Sequence, residues 1–89
     1  MKMKNDDLKK ITEIKQYLLD PPISFKLNEY ALGYLQNAIK VLAAYPKTEN
    51  IIQDFKILIA QIEDKQVERA DLRNALKQAG IKLSKLTNK

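Results

Sequence analysis

The chain contains no histidine, cysteine or tryptophan, and it has only two glycines and three prolines. Without His or Cys, nucleophilic catalysis of the Ser–His or Cys–His kind is excluded, and zinc sites, which draw on those ligands in nearly every pattern, go with it. Gly33 and Gly80 stand alone, so no glycine-rich phosphate cradle can form. Without disulfides the fold rests on packing, which fits a reducing compartment. No apolar run approaches the ~20 residues that cross a bilayer. The mixed Lys, Asp and Asn start at 1–7 leads into no apolar signal region. The expectation is a cytoplasmic domain.

Negative charge is missing from the carboxyl end. After Asp71 no acid follows, while Arg73, Lys77, Lys82, Lys85 and Lys89 supply five positive charges, equal to the net charge of +5 for all 89 residues. The first 72 residues therefore sum to zero. A one-signed end of this kind points to an anionic or negatively polarised partner.

Eighty-nine residues form one small domain, able to bury about 60–65% of its unfolded surface. Apolar residues recur at intervals of three and four, the period of amphipathic helices. Helix 1 is expected over about 6–19, capped by Asn5 or Asp6, with Leu8, Ile11, Ile14 and Leu18 inward. Pro21 and Pro22 stop it. Helix 2 fits 25–45 behind a Ser24 cap, on the stripe Leu27, Tyr30/Ala31, Tyr34/Leu35, Ala38, Val41/Leu42 and Tyr45. Gly33, in mid-helix, is the expected site of a close helix crossing. Thr48 caps helix 3, at 49–63, whose stripe is Ile51/Ile52, Phe55, Leu58/Ile59 and Ile62.

No Gly or Pro separates Ile51 from Gly80, but the stripe Val67, Ala70, Leu72, Ala75, Leu76, Ala79 points roughly 110° from that of helix 3. A break is therefore placed within 63–66, with helix 4 at 67–79, Gly80 as a left-handed cap under Ile81, and a frayed tail over 82–89. The fold class is all-α: a small antiparallel four-helix bundle with short connections, whose contacts are mostly local.

Paired carboxylates are the remaining catalytic or metal candidates. Glu68 and Asp71 share a helix face, but Arg69 and Arg73 stand beside them, and a mixed-charge face serves solubility. No enzyme, cofactor or metal is called for. The candidate partner-binding residues are Arg69, Arg73 and Lys77, spaced four apart with ~40° of drift per step, extended by Lys82 and Lys85. Their bland reading is a solvated helix end that favours the dipole. Tyr17, Tyr30, Tyr34 and Tyr45, with Phe25, read first as core margin. Tyr34 and Tyr45 as an exposed patch is the alternative.

Residues 72–89 also admit a degenerate helix-turn-helix, with Gly80 as the turn and Ile81 and Leu86 seating a second helix, so a small DNA-binding regulator is the alternative function. Against it, Leu76 sits where that motif takes a small residue.

The segment IKQYLLDPPI (14–23), a helix ending in Leu-Leu before Asp-Pro and Ile, resembles the first helix and turn of the immunity proteins for pediocin-like (class IIa) bacteriocins, the enterocin A-type family. NEYALGYLQNAIKVLAAYPKTENIIQDFKILI (28–59) resembles their second and third helices. The likeness covers residues 8–79 and is one of pattern and length. It implies a cytosolic four-helix bundle that protects a bacteriocin producer by recognising the bacteriocin-engaged mannose phosphotransferase permease at the cytoplasmic membrane face. It also implies that the C-terminal half, here with Arg69, Arg73, Lys77, Lys82, Lys85 and Lys89, decides which bacteriocin is resisted. The short tail of this chain departs from many relatives. A phage- or plasmid-encoded inhibitor or assembly factor fits the same physical description.

Overall fold

The computed structural model describes residues 3–87. Four helices account for most of them: α1 (Asn5–Leu19), α2 (Leu27–Leu42), α3 (Glu49–Glu63) and α4 (Arg69–Thr87), with no strand among the described residues. The chain is an all-α four-helix bundle. Tyr45, beyond the end of α2, reaches Lys4 and Asp7 at the start of α1. Asp54, early in α3, meets Lys82, late in α4. Pro21, just past α1, meets Arg73 in the first half of α4. Each of these pairs therefore runs antiparallel.

The core is one cluster drawn from every helix, centred on Ile11, Leu18, Leu35, Phe55, Leu72 and Leu76. The expected inward stripes supply it, with three departures. Leu8 is exposed at the edge of α1, Tyr30 at the edge of α2, and Ala70 near the start of α4. The most extensive helix pairing is α1 with α4, the first and last elements, while α3 and α4 touch more sparingly. Local contacts dominate in number, yet the largest interface joins elements far apart in sequence.

Cap chemistry differs from expectation at several ends. α1 begins after Lys4, without a side-chain cap from Asn5 or Asp6. α2 begins at Leu27 because Ser24 Oγ accepts the Lys26 N–H at 3.0 Å, closing a short turn instead of capping a helix at Phe25. The same helix ends at Leu42, ahead of Pro46. Buried Thr48 precedes α3, but its hydroxyl lies 2.9 Å from the Leu42 carbonyl and 3.0 Å from that of Tyr45. It satisfies the end of α2 and leaves the start of α3 uncapped.

The break between α3 and α4 falls close to where the change of phase placed it, but it runs on to Glu68, so α4 begins at Arg69 and not at Val67. Lys65 takes φ 55°, its N–H donates to Ile62 O at 3.1 Å, and that of Gln66 donates to Gln61 O at 2.9 Å. This is a Schellman closure with lysine where glycine is favoured.

Neither glycine takes the role expected of it. Gly33 has open space where a Cβ would stand, so no close crossing occurs there. Gly80 is neither a cap nor left-handed: α4 passes through it to Thr87. A Cβ at Gly80 would lie 2.9 Å from Leu19 Cγ and Cδ2 and 3.2 Å from the Leu19 backbone nitrogen. The close crossing is therefore α1 on α4, and the expected frayed tail is ordered helix as far as Thr87. Lys89 lies outside the described residues.

Candidate functional site

The carboxyl-terminal cations do not act as one free stripe. Arg69 and Arg73, one turn apart at the start of α4, aim at the loop between α1 and α2. The Arg73 guanidinium donates to the Pro21 carbonyl at 2.6 Å, and that of Arg69 donates to the Ser24 carbonyl. Both arginines thus fasten the proline loop to α4. Lys82 pairs with Asp54 at 2.7 Å, both side chains about half exposed (47% each), a contact worth roughly 0–1 kcal/mol. Lys77 and Lys85 remain exposed, with no acidic partner among the described residues. Relative to Arg69 they lie at about 80° and 160° around α4, away from the buried face of Leu72, Leu76 and Leu83.

The loop held by the arginines was not anticipated as a site. Pro21 is buried at its base, whereas Ile23 is 92% and Phe25 100% exposed. The helix period already excludes Phe25 from the inward stripe of α2, since two residues before Leu27 is ~200° around the helix. Alternation of Ile23 and Phe25 behind two prolines was the available signal.

Beside the loop, Tyr17 stacks on Tyr34 with ring centroids 4.1 Å apart and planes at 17°. With Pro22, Ser24 and Tyr30 they line a cleft of about 220 Å³. Ile23, Ser24, Arg69 and Arg73 line a second, of about 240 Å³. The hydroxyl of Tyr17 is buried without a hydrogen-bond partner, and burial, reinforced by Tyr34, raises its pKa against a smaller opposing effect of Arg73. Tyr34 and Tyr45 form no shared patch. Tyr45 donates to the Asp7 carboxylate, which raises its pKa, and accepts the Lys4 N–H at 3.1 Å.

The sparing α3–α4 contact leaves a groove of about 240 Å³ floored by Phe55, Leu58, Ala75 and Ala79, with the Asp54–Lys82 pair on its rim. Among the described residues, no three carboxylates converge into a set that could hold a metal ion, Glu68 and Asp71 included. A turn at Gly80, which a helix-turn-helix over 72–89 requires, is absent because α4 is continuous there. No described helix is long and apolar enough to cross a membrane.

No family model, curated protein or solved structure matches this chain.

Proposed function

We propose that the chain is a non-enzymatic interaction module that presents the solvent face of α4 to a protein partner, and that its specific role is immunity to a pediocin-like bacteriocin. The observation that carries this reading is the continuity of α4 through Gly80. It places Lys85 on the same ordered helix as Lys77 instead of in a loose tail. A charged side chain held on a rigid element loses less freedom on docking than one on a mobile segment, and cations steer encounter with a negatively polarised surface. The four-helix bundle is also the fold that the pattern of residues 8–79 implies, which supports the family reading. The proposed partner is the bacteriocin-engaged mannose phosphotransferase permease, met at the cytoplasmic membrane face.

Arg73 and Lys82 are poor choices for a charge-reversal test, because reversing them also releases the Pro21 carbonyl or puts a carboxylate against Asp54. Lys77→Glu with Lys85→Glu tests the surface cleanly. The native chain, expressed in a sensitive strain, raises survival against a pediocin-like peptide. The double variant loses that protection with an unchanged thermal unfolding curve. Protection equal to that of the native chain would reject the α4 surface, and no protection by the native chain would reject immunity. A titration against random duplex at two salt concentrations separates the nucleic-acid alternative, which requires a salt-steep affinity.

A further inference from the structure

Ile23 and Phe25 are more exposed than any other large apolar side chains described, and they stand at alternate positions of one loop. A single exposed apolar side chain is ordinary on a protein surface; two together beside an apolar tyrosine cleft form a patch. Their projection is built in. Pro21 and Pro22 restrict the backbone, the Ser24 hydroxyl accepts the Lys26 N–H, and Arg73 and Arg69 grip the carbonyls of Pro21 and Ser24. So braced, the loop is kept from folding its two side chains back onto the bundle.

We propose that the 21–26 loop is a peripheral anchor that seats Ile23 and Phe25 in the interface of an anionic lipid bilayer. Three observations favour a bilayer over a protein groove as the occupant. First, the loop has already engaged polar backbone groups that a protein partner would read. The carbonyls of Pro21 and Ser24 and the N–H of Lys26 are bonded internally, and both prolines lack an N–H. The N–H groups of Ile23, Ser24 and Phe25 make no bond within the described chain, so the backbone of the tip belongs at the hydrated headgroup level and only the two side chains enter the apolar zone. Second, the apolar tip has a cationic base. Lys26 is exposed, and the two guanidinium groups keep further N–H donors that suit phosphate oxygens. Asp20 and Glu29 flank the loop at its two ends, but both guanidinium groups contact the loop itself, and the molecule as a whole carries +5. Third, two side chains that project almost fully from the surface suit a fluid that closes around them.

The chain has no tryptophan, so Phe25→Trp provides a single fluorescent reporter at the tip. Mixed with vesicles of equal parts phosphatidylglycerol and phosphatidylcholine, this variant should shift its emission to the blue and be quenched by brominated acyl chains. Vesicles of phosphatidylcholine alone should bind it more weakly. Ile23→Ser with Phe25→Ser should lower the partition onto anionic vesicles by about tenfold or more. Both side chains are exposed, so this variant should keep the native unfolding curve. The proposal is overturned if the tryptophan emission does not move. Equal vesicle binding by the native and serine-substituted chains would also overturn it, leaving the lysines of α4 as the contact. Loss of bacteriocin protection in the serine variant, with no vesicle binding by the native chain, would assign the patch to a protein instead. The vesicle assay uses the purified chain and stands or falls apart from the survival assay.

Discussion

Adding one methyl group at each glycine should move stability in opposite directions. In a helix interior, alanine is favoured over glycine by about 1 kcal/mol. At Gly33 the new methyl meets nothing within 4 Å, so Gly33→Ala keeps that gain. At Gly80 it would stand 2.9 Å from Leu19 Cγ and Cδ2 and 3.2 Å from the Leu19 nitrogen. The Leu19 side chain can turn aside in part, but its backbone nitrogen moves only with α1. Overpacking of this kind costs about 1–3 kcal/mol, leaving Gly80→Ala about 1 kcal/mol less stable than the native chain. The two variants then differ by about 2 kcal/mol, or roughly 8–16 °C in Tm for a domain of this size. Thermal and urea unfolding followed by far-UV circular dichroism measure the difference. Leu19→Ala in the Gly80→Ala background should show coupling on the order of 1 kcal/mol, as expected of residues in contact. If Gly80→Ala stabilises as much as Gly33→Ala does, the proposed close crossing of α1 on α4 is wrong.

Thr48→Val keeps the shape but removes the hydroxyl that serves the Leu42 and Tyr45 carbonyls; urea unfolding should show a loss of about 1–3 kcal/mol in unfolding free energy. Lys65→Gly relieves a left-handed lysine, partly offset by the greater freedom of glycine in the unfolded chain, and should raise stability by about 0.5 kcal/mol. An unchanged or lower Tm would contradict that account of the Schellman closure. The phenols of Tyr17 and Tyr45 have raised pKa values in the folded state, so the stability linked to them is intact below about pH 10 and falls as pH rises through the folded values. Absorbance titration of phenolate should therefore show a late fraction that disappears in the Tyr17→Phe, Tyr45→Phe variant.

Periodicity carried the fold. The stripes of α2 and α3 are buried largely as the three-and-four spacing requires, and the change of phase between Ile62 and Leu72 located a break that no glycine or proline marks. Lys65 gave no hint of its left-handed backbone, because lysine does not favour that conformation. Gly80 misled for a different reason. A glycine after a periodic stretch has the local mark of a cap, whereas the side chain that decides its role, Leu19, arrives from the other end of the chain. Ser24 and Thr48 were legible as polar residues near helix ends, but which neighbour each hydroxyl chooses depends on the path of the connecting turn. At the candidate site, counting charge located the cations but not their use. The partners of Arg69 and Arg73 are backbone carbonyls, which leave no trace in a charge pattern.

The pairing of α1 with α4 sets burial against the order of synthesis. The stripe of Ile11, Ile14 and Leu18 leaves the ribosome first, yet its main cover is the last helix described. While residues 69–87 are still being made, α2 is its principal shelter, and a nascent chain stalled before Arg69 displays sticky apolar surface to chaperones and proteases. Completion of the carboxyl-terminal helix is thus the event that commits the amino-terminal one.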